Sequence, residues 1–220
     1  MAYSLDGLDT LMMTGTPAAG WPATDGCKPD EEMKSATTAG DAGRSPGQTP
    51  VNEAVWLTAK CDGLEPRAAP FTPPDEDQIV IRNGAVAINP VDWLTQSIGD
   101  FVYPWLKYPF VLGSDVAGEV VAIGSAVSRF RVGDRVLGHA VGAEKSRNSP
   151  AESAFQRYTV LLERMASPIP GAMAYESAAV LPLGLSTAAC GLFQKDFLAL
   201  QYPSANVKPT GKTPAILNGH

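Results

Sequence analysis

The side chains in this chain with the most chemical potential are Asp92, Tyr103, Asp115 and His139, together with the cysteines Cys27, Cys61 and Cys190. Asp92 follows Asn89-Pro90-Val91, a spacing that suits a carboxylate capping the first turn of a helix, a contact worth about 1 kcal/mol. The loop Tyr103–Phe110, YPWLKYPF, concentrates aromatic rings that serve equally well as pocket wall or as core, and Lys107 within it is expected to be solvated. Asp115 is placed to accept hydrogen bonds from turn amides. The cysteines are far apart and show no CxxC spacing, so they build neither a zinc ribbon nor a disulfide framework, and a sparse odd set suits a reducing compartment. Cys190 lies in an apolar helical pattern and is expected to be a small core residue. The only histidines are His139 and His220. Zinc needs three or four nitrogen, sulfur or carboxylate ligands at short range, and no such set is visible, so no metal is expected. Gly211-Lys212-Thr213 resembles the end of a phosphate-binding loop, but the earlier glycine that such a loop requires is missing.

These residues must be held by the elements around them. Gly113–Val136, GSDVAGEVVAIGSAVSRFRVGDRV, reads as two β-rich runs, Val116–Ile123 and Arg135–Leu137, broken at Gly124-Ser125 and at the tight-turn pair Gly133-Asp134. Glu53–Leu57 reads as a first strand, and Gln78–Asn89 as a longer one interrupted at Asn83-Gly84. Pro90 ends it, and Val91–Ser97 is expected to form a short helix with Asp92 near its start. Phe155–Leu162 alternates like another strand. Ala174–Phe193 carries apolar residues at helical spacing, with Pro182 and Gly184 dividing it into two short helices, and Thr187 fits a helix start after Gly184. Many short strands with Gly/Pro turns followed by helices predict a mainly β fold, a small antiparallel barrel with helical additions.

Composition sets the outer bounds. The chain has 220 residues, 45% of them hydrophobic, and a formal charge of −6, which argues against non-specific nucleic-acid binding. No uninterrupted apolar run approaches the roughly 20 residues of a spanning helix, and the N-terminus has neither a secretory nor a transit pattern, so a cytoplasmic protein without membrane contact is expected. Residues 1–50, rich in Gly, Pro, Ser and Thr and without hydrophobic period, are expected to be a disordered extension.

Five blocks in order carry a family resemblance. They are AVAINPVDW (Ala85–Trp93), GSDVAGEVVAIG (Gly113–Gly124), VGDRVLG (Val132–Gly138), AFQRYTV (Ala154–Val160) and AAVLPLGLSTA (Ala178–Ala188). Residues 51–194 so resemble the GroES-like, partly open antiparallel barrel of the medium-chain dehydrogenase/reductase family. The pattern is most similar to the zinc-independent quinone oxidoreductases and enoyl reductases, above all to fungal trans-acting enoyl reductases that work with polyketide synthases. Zinc-dependent relatives have a cysteine in the segment matching Asn89–Asp92 and a histidine after the glycine matching Gly113. Here the first segment has no cysteine and the second position is Ser114.

The resemblance implies NADPH-dependent reduction of an activated C=C bond or a quinone. It assigns cofactor contacts to Val91, Asp92, Trp93, Leu94 and Thr187. It assigns an acyl-pocket wall to Leu183, Gly184, Leu185, Ser186, Ala188, Ala189 and Cys190, and makes Tyr103 a candidate proton donor. Leu94 stands where many relatives have lysine, which removes a cation from the cofactor side. The implied partners are a small-molecule or acyl-thioester substrate and a polyketide synthase. Residues 195–220 are expected to be an irregular tail that stops before the nucleotide-binding Rossmann domain of the family. On that expectation the alternative is a non-catalytic pseudoenzyme or interaction module, self-association included. A co-chaperonin would share the barrel type alone.

Overall fold

A computed structural model of the chain describes residues 2–4 and 50–206. Its elements in chain order are β1 (Ala2–Ser4), β2 (Asn52–Leu57), β3 (Leu64–Ala69), β4 (Gln78–Ala87), α1 (Pro90–Ile98), β5 (Phe110–Val111), β6 (Asp115–Ile123), β7 (Arg135–His139), β8 (Tyr158–Leu162), β9 (Ala166–Pro168), α2 (Tyr175–Ala179) and α3 (Pro182–Phe193). They build two antiparallel sheets and no closed barrel. The larger runs β1-β4-β6-β7-β9, with β8 also on β4, and the smaller runs β3-β2-β5. Apolar side chains of both sheets, among them Leu57, Ile79, Ile81, Phe110, Val116 and Leu161, form one fully buried core.

The central pair is β4 with β6, registered from Ile79↔Ile123 to Ala87↔Asp115. The interruption expected at Asn83-Gly84 is a β-bulge inside one continuous strand, because the register shifts between Asn83 and Ala85. Gly84 is needed there for a close approach: the Tyr175 ring of α2 lies where a β-carbon would stand. Arg135 completes this contact. Its guanidinium carbon sits 4.5 Å from the Tyr175 ring centroid, and its nitrogens donate to the carbonyls of Gly171 (2.8 Å) and Met173 (2.6 Å). Arg135→Ala is expected to lower stability by about 2 kcal/mol in urea titration, since two carbonyls and an aromatic face lose one shared cation.

Several elements differ from the sequence reading. β3 was not expected, because Pro66 and Arg67 interrupt its pattern; it is an edge strand, where a missing amide is tolerated. Residues 2–4, within the stretch expected to be disordered, pair with Ala85–Ala87 of β4 beyond the segment that β8 occupies. That pairing uses backbone groups, which leave no side-chain signal. The rest of that stretch, 5–49, lies outside the described residues, as does the tail from 207 onward. Gly184 does not divide a helix. Pro182 is instead the first residue of α3, where its missing amide costs nothing, and Thr187 is mid-helix rather than at a start.

Cys190 is exposed, against the expectation of a core position. The apolar residues of α3 run all round the helix, so spacing could not tell which would be covered. Taken through the break between α2 and α3, Tyr175–Phe193 also has the length and mean hydropathy of a membrane-crossing helix, although Ala178 and Ala179 of α2 are fully buried against the sheet. Ser177, Ser186 and Thr187 interrupt it, which is why no continuous apolar run was visible. The chain divides into two units, up to Leu183 and from Gly184. In the second, the segment after α3 folds back on it: Leu198 N–H donates to the Gly191 carbonyl, and the Phe193 and Tyr202 rings stack at 5.1 Å.

Candidate functional site

A buried polar cluster in the first unit surrounds Asn89. β4 delivers it just after Ala87, and Pro90 then starts α1, so Asn89 becomes the residue before the helix. Its backbone N–H donates to Asp92 Oδ2 (2.8 Å), one half of a capping box, as the Asn-x-x-Asp spacing implied. Its side-chain Nδ2 donates to Asp115 Oδ2 (3.0 Å) at the start of β6. The other oxygen of each carboxyl takes one backbone amide. Asp92 Oδ1 accepts from Gly113 (3.2 Å), which turns with φ 97°, and Asp115 Oδ1 accepts from Leu183 (2.7 Å). One asparagine therefore clasps two carboxyls, and the pair binds α1, the β5–β6 turn, β6 and the first turn of α3.

Both carboxyls are nearly sealed, Asp92 at 6% and Asp115 at 1% exposure. Burial pushes the Asp92 carboxyl up to about 7, against the opposing Asn89 and Gly113 amides and with help from the Asp115 charge. Burial also raises Asp115, opposed by the Asn89 side chain, the Leu183 amide and His139, which faces it across the β6–β7 register. His139 is held down by its own burial, with Asp115 and Glu144 pulling it upward.

Tyr103 lies on the loop after α1. Burial raises its phenol first, and the charges of Asp92 and Glu144 raise it further. Its ring is tilted against Trp105 at a centroid distance of 5.7 Å. Trp105 is fixed by Nε1–H donating to the Ala143 carbonyl (2.9 Å), and its own carbonyl accepts from Asn148 (3.1 Å). An open groove of about 520 Å3 runs along Tyr103, Trp105, Glu144, Lys145 and Ser146.

Of the residues assigned to cofactor contact, Asp92 is buried, Val91 and Leu94 are half-buried, and Trp93 is 43% exposed, all on the first turns of α1. Thr187 is exposed on α3, in the second unit. Of the pocket-wall residues, Leu183 is brought to Asp115. Gly184, Leu185, Ser186, Ala188, Ala189 and Cys190 belong to the second unit, with Gly184, Leu185, Ala188 and Cys190 exposed. Sequence reasoning missed the Asn89 bridge and the Leu183 amide. The Asn-x-x-Asp spacing signals only the Asp92 half of the bridge; its Asp115 half and the Leu183 amide join residues 26 and 68 apart and have no local signal. Among the described residues no three His, Cys, Asp or Glu side chains gather into a metal-holding group.

Comparison with known proteins places this geometry. Residues 75–174 match the alcohol dehydrogenase GroES-like domain. The chain is similar to the dehydrogenase pigH of Monascus ruber, 56% identical over 77% of this chain and 47% of that protein. It is similar to lovC of Aspergillus terreus, the enoyl reductase component of lovastatin nonaketide synthase, at 44% identity over 74% of this chain and 40% of that one. Among solved structures it resembles the quinone oxidoreductase of Coxiella burnetii, with a TM-score of 0.57 and 25% identity over 67% of this chain and 46% of the other. The chain spans about half the length of the curated relatives it matches.

Proposed function

This chain belongs, through its alcohol dehydrogenase GroES-like domain, to the medium-chain dehydrogenase/reductase family, and from that premise we propose that it forms the substrate and nicotinamide side of an NADPH-dependent reductase acting on an activated C=C bond. The observation that carries this reading is Trp93, exposed near a helix start that the Asn89–Asp92–Asp115 clasp holds fixed. An exposed indole face fits an uncharged aromatic ring, and Leu94 offers no cation to a phosphate. The residues present therefore suit the nicotinamide half. All strand pairs among the described residues are antiparallel, so no strand–glycine turn–helix cradle for a pyrophosphate occurs within them.

When bound, NADPH supplies the hydride. The chain's part is to orient and to protonate. Trp93 and its neighbours set the ring face, the Tyr103–Trp105 groove receives the conjugated carbonyl compound, and the Tyr103 phenol gives its proton to the carbon beside the carbonyl. Similarity to an enoyl reductase component of a polyketide synthase supports an acyl thioester as substrate and a synthase as partner. A cytoplasmic location without membrane contact belongs to the same proposal.

The test is reduction of an enoyl thioester, followed as loss of NADPH absorbance. The chain is expected to reduce it slowly, and Tyr103→Phe to lower the rate roughly 100-fold with the NADPH dependence unchanged. No reduction of an enoyl thioester or a quinone at saturating NADPH would contradict the reading.

A further inference from the structure

We propose that the open face of α3 is a self-docking surface, on which a second copy of this chain packs about a two-fold axis. The inference uses no reacting group and stands apart from the reductase reading.

α3 is apolar all round, yet Pro182 alone of its 12 residues is buried. A helix of that composition is ordinarily covered on every side. Gly184, Ala188 and Gly191 recur at spacings of four and three, so they share one face, with Leu185 and Thr187 on its flanks. Among the described residues nothing lies within 4 Å of where a β-carbon would stand at Gly184 or Gly191. A helical glycine costs up to about 1 kcal/mol against alanine, and no close approach from this chain offsets that cost here. Another backbone packed against the stripe would. Leu185 is 69% exposed beside it. The Leu198 amide, bonded to the Gly191 carbonyl, brings the exposed Phe197 and Leu198 to its far end.

Charge and area select a second copy as the occupant. From Ser177 to Gln194 the chain has no charged residue. At a two-fold axis each residue meets its own counterpart, so any charge there would face itself, and this stretch has none to repel. Two stripes of small residues also let a pair of helices cross near the short end of the usual 8–10 Å separation. Two faces of this extent bury roughly 1,200 Å2 in all, the lower bound of a stable interface, which makes the pair reversible. A lipid core suits the face less well. The 12 residues of α3 reach about 18 Å, against a hydrocarbon thickness of about 30 Å. α2, which would have to lengthen it, is held on the sheet by Ala178 and Ala179. Docking covers Leu185, Thr187 and Ala188, positions that the resemblance gives to ligand contact, so those positions are open to ligand only in the monomer.

Sedimentation velocity of the whole chain, from low to high micromolar concentration, tests the proposal. The chain is expected to pass from one copy to two and to stop at two. Leu185→Glu sets like charges at the crossing and should weaken association roughly 100-fold. Its side chain is exposed in the single chain, and an unchanged circular dichroism spectrum verifies the fold. In a Cys190→Ser background, Ala188→Cys should join two chains by a disulfide under mild oxidation, which Cys190→Ser alone does not do, because residues at the crossing come within disulfide reach. A chain that stays single at the highest concentration overturns the proposal. So do aggregates that grow past two, Leu185→Glu associating as the parent does, or an Ala188→Cys chain that does not cross-link. Binding to phosphatidylcholine vesicles in place of pairing overturns it in favour of a lipid surface.

Discussion

Gly118→Ala is expected to destabilise the chain by about 3 kcal/mol, enough to leave a large unfolded fraction in mild urea. Gly118 lies in the middle of β6, opposite Asn83 of β4 on one side and Val136 of β7 on the other. A β-carbon at this position would collide with the Arg82 carbonyl group and the Asn83 α-carbon. All of those atoms are backbone, at the bulge that shapes the central strand pair, so no side chain can swing aside. β4 and β6 must separate, and both carry the site, since Asn89 follows one and Asp115 starts the other. The Asp92 carboxyl should therefore drift towards its ordinary range in any folded remainder. Gly133→Ala is the contrast: nothing lies near its missing β-carbon, but its φ of 94° strains any other residue, and the expected loss is about 1 kcal/mol. Equal midpoints for Gly118→Ala and the parent would show that β4 and β6 have room to spare.

Stability should fall as pH rises from about 4 to 8. The Asp92 carboxyl is raised in the folded chain to about 7, so between its ordinary value and 7 the folded state binds more protons than the unfolded one. Its contribution is fully present below that window and is lost as pH climbs through 7, to a total on the order of 4 kcal/mol. Asp115 is raised by the same burial and adds in the same direction. His139, held down in the folded chain, is less protonated there than when unfolded, so it opposes the slope in its own range. Chemical denaturation at pH 5 and at pH 8 measures the difference, and Asp92→Asn should flatten it even though its amide nitrogen replaces one of two oxygens that each accept from an N–H group. A parent equally stable at both values would place Asp92 among ordinary surface carboxylates.

Much of the scaffold was legible because it follows local rules. Alternating apolar residues marked β2, β4, β6, β7 and β8, and Asp92 after Pro90-Val91 announced a short capped helix, which begins at Pro90, one residue before the start the sequence implied. The resemblance of five ordered blocks then gave the GroES-like fold. What escaped was decided by non-local contacts. β3 tolerates Pro66 because it sits at a sheet edge, and β1 pairs through its backbone. Cys190 is exposed although its helix is as apolar as a buried one. The site was legible in its members and not in its wiring. Asp92 was visible as a cap and Asp115 as an acceptor of amides, but only the fold brings Asn89 between them and sets the Leu183 amide on Asp115. Burial then turns a helix cap into a carboxyl poised near neutrality.

The central claim is that the first turns of α1 form the nicotinamide wall. The most direct measurement is a proton–nitrogen correlation spectrum of the labelled chain titrated with NADPH into the millimolar range. The amides of Val91, Asp92, Trp93 and Leu94 and the Trp93 indole N–H should shift together and saturate weakly, with adenosine diphosphate alone leaving them in place. Saturating NADPH that leaves those signals unmoved, or moves only residues remote from α1, would contradict the account.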